Sequence, residues 1–406
     1  MWGVPSRLTA VRLWLDRRHA LAWLLVGLTF LINYIAIVRF QSFFSPDSQH
    51  YLAMAYLFGG DSPMVARDKT VEFAANYNIE VAPVDSLLGW GLVQPRVVLP
   101  LLAAPFVHFF GPLGFAVVTA LITVALIATL TVLLGRRYGW PTAVATMLIV
   151  NASFYLMSYF TAMLTESLSA LWTTVTLIAA WRWMKTRSVW WLVVAGAATV
   201  ASAFTRQATL IVAGAFLVAW VLGSLIERRN SPWMWPALVV TGASFASQIF
   251  QSVVFPTFSQ LDQFLRMTGT DSLGAAIAEV PRLAWKIIWE DLTLLQRYDL
   301  PLLFLIVLSL IGMVIFWRRE ESHLLLGAIL ATSLYNITNG TPTQFRYAVP
   351  GIVFFVIVAA MVIRRAGETL PPALARTAAP ADQAPEPELL LDESTSTTRS
   401  AARPSP

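Results

Sequence analysis

Long apolar stretches recur along the chain, and short clusters of basic residues separate them. A helix rises about 1.5 Å per residue, so crossing a hydrocarbon core of about 30 Å takes roughly 20 residues. That ruler predicts membrane helices near residues 20–38, 113–134, 141–158, 164–183, 189–204, 207–226, 234–254, 300–317, 322–338 and 347–363. The expected fold class is therefore all-α, a polytopic transmembrane helix bundle of about ten spans. Arg7, Arg12, Arg17 and Arg18 precede the first stretch, which is long enough to span and shows no small-x-small cleavage pattern before Gln41. It reads as an uncleaved membrane helix and not as a signal peptide.

The run from Val97 to Gly111 would reach only about 22 Å as a helix, and Pro100 and Pro105 fall within it. Counting it as a crossing would turn Arg136/Arg137, Lys185/Arg187, Arg228/Arg229 and Arg318/Arg319 outward. Read as an interfacial helix, it leaves those pairs, with Arg364/Arg365 and the amino terminus, on the cytoplasmic side, as the positive-inside rule requires. The same rule splits the stretch from Val189 to Ile226, basic at both ends, into two helices that turn near Thr205-Arg206-Gln207. The expected organisation is a cytoplasmic amino terminus (1–19), a transmembrane domain (20–363) and a disordered cytoplasmic tail (364–406) rich in Pro, Ala, Ser, Thr and Glu. Two long extracytoplasmic loops interrupt the domain. The first, 39–112, carries interfacial helices; the second, 255–299, carries an amphipathic surface helix from Leu273 to Arg297, with Trp285 and Trp289 four residues apart.

Composition agrees with lipid as the solvent. Hydrophobic residues make up 57% of the 406 and charged residues 13%, against roughly 25% charged in soluble domains, and mean hydropathy is +0.65. The absence of cysteine excludes disulfides, thiolate metal sites and cysteine nucleophiles. An isoelectric point near 9.6 invites a nucleic-acid reading, but the basic residues flank apolar runs as topology signals do, so no nucleic-acid partner is expected. The 16 tryptophans suit interface anchoring better than a cofactor box.

The chemistry-bearing residues collect at the outer ends of the expected spans. Asp47 sits in Ser45-Pro46-Asp47-Ser48-Gln49-His50-Tyr51 and would share a helix face with His50 and Tyr51. It supports two readings, a helix N-cap and a catalytic carboxylate. Glu166 falls in the first turn of an apolar helix, where a helix amino terminus offsets only about 0.3–1 kcal/mol of an insertion cost of about 2.5–3.5 kcal/mol at mid-span. Arg206, Arg346 and Arg96 break the inward bias of basic residues. Each guanidinium either snorkels to headgroups or presents its planar fork to phosphate oxygens. His50, His108 and His323 show no metal-ligand spacing, and neither a phosphate-cradling Gly-rich loop nor Gly-x-Ser-x-Gly is present.

In order and spacing these residues resemble the GT-C glycosyltransferases, multi-spanning enzymes that use polyprenyl-phosphate sugars, such as protein mannosyltransferases and lipid A aminoarabinose transferases. The resemblance covers roughly residues 20–363. It rests on Pro46-Asp47-Ser48-x-x-Tyr51-Leu52, on Gln94-Pro95-Arg96-x-x-Leu99-Pro100, on Thr165-Glu166 and Thr205-Arg206, and on Gln344-x-Arg346-Tyr347-x-x-Pro350. It implies a sugar transferase of the cell envelope, at the plasma (inner) membrane with both termini cytoplasmic. The donor would be a polyprenyl-phosphate sugar and the acceptor a glycan, lipid or protein. Asp47 would act as general base with inversion at the anomeric carbon. Glu166, Arg96, Arg206, Arg346, His50, Tyr51 and Tyr347 would bind substrate. Many relatives show two adjacent acids where Ser48 follows Asp47 here, and a single carboxylate is a poor site for a hard cation. No cofactor is implied, and a divalent cation stays open. The rival class, a lipid or small-solute transporter or flippase, would carry ionisable groups along the bilayer midplane or broken helices in two matching halves.

Overall fold

Where water is scarce, backbone N–H and C=O groups must find partners within their own segment, and a helix does this residue by residue. The computed structural model describes residues 7–227, 231–255, 259–340 and 343–369. Among the described residues it is all-helical, with no strand. The chain divides into two units, Met1–Ala366 and Gly367–Pro406, and of the second only residues 367–369 are described. The expected disordered tail beyond 369, the first six residues and the Arg228/Arg229 pair lie outside the described residues.

The first helix, α1 (Arg7–Phe40), leads to four helices that fill the expected first outer loop: α2 (Ser48–Phe58), α3 (Pro63–Ala75), α4 (Val84–Gly89) and α5 (Val98–Phe110). At 13 residues, α5 spans only about 20 Å. There follow α6 (Leu113–Tyr138), α7 (Trp140–Ala152), α8 (Phe154–Thr161), α9 (Glu166–Thr186), α10 (Val189–Ala203), α11 (Thr209–Glu227) and α12 (Met234–Val254). The expected second outer loop holds α13 (Gln260–Thr268) and α14 (Leu273–Tyr298). After α15 (Leu300–Ile315) and α16 (Glu320–Asn339), a 3₁₀ turn at Arg346–Gly351 opens α17 (Ile352–Thr369).

Every apolar stretch read from the sequence is helical, but the count of crossings is coarser than expected. Among the described residues, five segments are long and apolar enough to cross a bilayer: His19–Phe40, Leu113–Tyr138, Thr209–Ile226, Met234–Val254 and Arg346–Thr369. The pair α7 and α8 adds a sixth only if counted as one span, because it bends by 75°. The expected straight helix over 141–158 is thus corrected. Ser153 accepts from the Leu156 N–H at 3.1 Å, starting a new helix, and donates its own hydroxyl to Asp299 at 2.7 Å. The same buried carboxylate accepts from the N–H groups of Tyr155 and Leu302, at 2.7 and 2.9 Å, so it caps α15 while it holds the bend. A second correction concerns the tail, since α17 runs on to Thr369, past the boundary expected at 364.

Outward-facing apolar residues mark the faces that meet lipid. Leu24, Leu28, Leu31, Ile32 and Ile35 of α1 are all exposed. On α14, Trp285, Ile288, Trp289 and Leu292 form an exposed stripe at i, i+3, i+4 and i+7, with the two indoles stacked 6.0 Å apart. The stripe gives α14 the amphipathic character the sequence predicts.

Inside, α11 and α16 approach through small residues, the usual way membrane helices bring backbones close. A Cβ added at Gly327 would lie 2.3 Å from the Gly214 carbonyl oxygen, a clash with backbone that no rotamer relieves. Replacing Gly327 by valine is therefore expected to destabilise the bundle by about 2 kcal/mol, in the usual range for overpacking. Thermal unfolding of the purified protein in detergent checks this, and an unchanged melting temperature would refute the close approach.

Candidate functional site

Five widely separated segments supply the site: the turn before α2, the approach to α5, the start of α9, the break between α10 and α11, and the 3₁₀ turn before α17. Backbone bonds stitch them together. The Met163 N–H donates to the Phe43 carbonyl at 2.9 Å, joining the Asp47 segment to the Glu166 segment. The Val98 N–H donates to the Phe204 carbonyl at 3.1 Å, joining the Arg96 segment to the Arg206 break.

The two readings of Asp47 separate here. Asp47 occupies the N-cap position of α2 but makes no side-chain capping bond. The neighbouring serines shape the turn instead, since the Ser48 hydroxyl accepts from the Ser45 N–H at 3.0 Å and meets the Ser45 hydroxyl at 2.9 Å. That leaves the Asp47 carboxylate for Arg346, 2.7 Å away.

Glu166 opens α9 and its side chain is wholly buried. Its Oε1 accepts from Arg206 at 2.6 Å and from Arg346 Nε at 2.5 Å. Arg346 thus bridges the two acids, one buried and one 34% exposed, while its own side chain is 25% exposed. Arg206 is sealed in, 2% exposed, with its guanidinium 5.4 Å from the centre of the Tyr347 ring. Tyr347 in turn packs edge-on against Tyr335, ring centres 4.8 Å apart. Arg96 is buried and donates to the Tyr51 hydroxyl at 2.7 Å. Among the described residues, Glu166 Oε2, Arg206 Nε and Arg96 Nε have no hydrogen-bond partner.

The site residues named from the sequence are therefore gathered apart from His50, and Arg206 differs from the expected role. The expected phosphate-facing position of Arg206 is corrected to a buried one against Glu166, so the exposed part of the site is Asp47 with Arg346. His50 also turns elsewhere: its Nδ1–H donates to the Leu87 carbonyl at 2.8 Å and its ring lies 5.1 Å from that of Trp90. Burial pushes its imidazole below the usual value, with Arg96 acting the same way and the Leu87 bond and Asp47 opposing.

Two residues that shape the site gave no motif. Gln344 and Phe345 adopt left-handed conformations, φ +46° and +70°, which non-glycine residues hold only when their surroundings fix them. Asp291 of α14 supplies that hold, accepting from the Thr343 and Gln344 N–H groups at 3.0 and 2.9 Å. The Tyr159 hydroxyl of α8 lies 3.1 Å from the Thr343 carbonyl and 3.2 Å from that of Gln344. Burial raises the Asp291 carboxyl above its usual value against the pull of those two N–H groups. Asp291 lies one turn from the buried Ile287 and Leu295 of α14, and because its partners are backbone groups nothing in the sequence marks it; a tyrosine inside the apolar Phe154–Phe160 run was the readable signal.

Among the described residues no group of three or more His, Cys, Asp or Glu is gathered in a way that would hold a metal ion. No protein-family model, curated protein or solved structure matches the chain.

The geometry separates the buried carboxylate from the partly exposed one. Glu166→Ala strands the sealed-in Arg206 guanidinium and leaves Arg346 with Asp47 alone, and should cost about 3–5 kcal/mol, the usual consequence of breaking a buried pair. Asp47→Asn removes one partly exposed pair, worth about 0–1 kcal/mol. Unfolding midpoints of the two variants measure the gap, and similar losses would contradict it. A second outcome concerns pH. A histidine whose folded value is depressed binds fewer protons in the native state, so stability falls as pH drops through the unfolded value near 6.5. Melting temperature should decline less between neutral and mildly acid pH in His50→Asn than in the wild type.

Proposed function

We propose that the chain is a membrane glycosyltransferase of the GT-C kind, moving a sugar from a polyprenyl-phosphate carrier to an acceptor hydroxyl at the extracytoplasmic face. The observation that carries this reading is the double pairing of Arg346 with Asp47 and Glu166. With Arg96 and Arg206, three guanidinium groups oppose two carboxylates, leaving a net positive charge suited to a phosphodiester. The proposal keeps ten crossings with α5 on the outer surface, because that topology puts the basic pairs inside.

In this mechanism the donor phosphate takes hydrogen bonds from Arg346, whose fork suits phosphate oxygens. It thereby competes with Asp47 for the guanidinium and frees that carboxylate to accept a proton. The acceptor oxygen attacks the anomeric carbon from the face opposite the phosphate. Its proton passes to Asp47 while the bond to phosphate breaks and the lipid phosphate leaves with the electron pair. Arg346 and, from beside Tyr51, Arg96 stabilise the charge that develops there. Glu166, fixed by Arg206, holds Arg346 in position. Attack from the opposite face gives inversion. A transporter or flippase would call for charge along mid-span, whereas Glu166 is the first residue of α9 and Arg346 precedes α17.

The test is transfer by the purified protein from a panel of polyprenyl-phosphate sugars, read by mass spectrometry of the product. The wild type should transfer at least one sugar, and Asp47→Asn should lower turnover by about 10²–10⁴-fold, the usual contribution of general-base help. Wild-type turnover in Asp47→Asn, or no transfer from any member of the panel, would sink the proposal.

A further inference from the structure

The other end of α9 holds a second feature that sugar transfer leaves unused. Lys185, in the last turn, follows Glu166 by 19 residues, about 28 Å of helix, nearly the thickness of a hydrocarbon core. Here a cavity of about 990 Å³ is lined chiefly by α6 and α9. Its wall is apolar, with Ala128, Val132 and Leu133 on α6 and Ile178 on α9. Its rim is basic, carrying Arg136, Arg137, Arg182, Lys185 and Arg187, with Glu320 also lining it.

The rim cations are unevenly engaged. Arg137 pairs with Glu321 and lies over the Trp181 ring, 4.1 Å from its centre. Arg187 lies 4.6 Å from the centre of the Trp183 ring, which fixes its guanidinium without neutralising it. Among the described residues Arg136, Arg182, Lys185 and Arg187 make no ion pair. Helix dipoles favour a basic residue in the last turn of either helix, but they do not account for an apolar cavity between two such ends.

We propose that this cavity binds an anionic phospholipid, its headgroup phosphate among Arg136, Arg182, Lys185 and Arg187 and an acyl chain along the α6–α9 wall. Two features favour a lipid over a free phosphate. The apolar wall runs directly into the rim, and a dissolved anion would leave that wall without a partner. A cluster of cations at a membrane face is itself an attractor of anionic headgroups. The site does not depend on the sugar-transfer reading, because its readout is lipid binding and the Asp47 end takes no part.

The experiment titrates the full chain, purified in detergent, with phosphatidylglycerol, with phosphatidylcholine of the same chain length, and with inorganic phosphate. Thermal shift and lipid retention in native mass spectrometry are recorded. Phosphatidylglycerol should raise the melting temperature and remain bound, and the other two should do neither. The R136Q/R182Q/K185Q/R187Q variant should bind phosphatidylglycerol at least tenfold more weakly. Because losing four cations also weakens topology signals, Val132→Trp serves as a second variant; it fills the wall, keeps every charge, and should displace the lipid. Undiminished phosphatidylglycerol binding in Val132→Trp, equal binding of phosphatidylcholine, or an equal shift with inorganic phosphate alone would each overturn the proposal.

Discussion

A carboxylate removed from water is tolerable only when positive charge and hydrogen bonds surround it, because desolvation of the ion costs several kcal/mol. Glu166 meets that condition with two guanidinium groups on a single oxygen, Arg206 from behind and Arg346 from the open side. The arrangement requires the start of α9, the α10–α11 break and the turn before α17 to converge, so one ion cluster fixes the relative positions of three distant segments. Asp47 joins through Arg346, and the Phe43–Met163 backbone bond holds its segment near Glu166. The left-handed pair at Gln344 and Phe345, gripped by Asp291 and Tyr159, keeps Arg346 from swinging away.

Charge is also sorted along the helices. The acid at the first residue of α9 and the lysine in its last turn both complement the helix dipole. One end of the bundle carries two carboxylates paired with guanidinium groups and one guanidinium in excess, and the other carries cations that mostly stand apart from carboxylates. The proposed sugar transfer draws on the first arrangement, and the proposed lipid site on the second.

Much of this was legible in the chain, for identifiable reasons. Apolar runs of the right length fixed nearly all the helices, and a charge inside an apolar run singled out Glu166, Arg206 and Arg346. Partner choice was not legible: Glu166 and Arg206 are 40 residues apart and Glu166 and Arg346 are 180 apart, and no local pattern encodes such distances. Asp47 stayed open between cap and acid because the answer lay in what Ser45 and Ser48 do. The α7–α8 bend was missed because its cause, Asp299, lies 146 residues downstream of Ser153. Asp291 escaped for a similar reason, since it binds backbone groups, which have no sequence signature.

The same spacing has a consequence for biogenesis. Glu166 is polymerised 40 residues before Arg206 and 180 before Arg346. At a synthesis rate of about 5–20 residues per second, it waits roughly 2–8 seconds for its first counter-ion and 9–36 seconds for its second. A nascent chain emerging at the bilayer therefore carries an uncompensated acid for an interval long on the folding timescale, and the insertion machinery must shelter α9 until α10 and its following turn arrive.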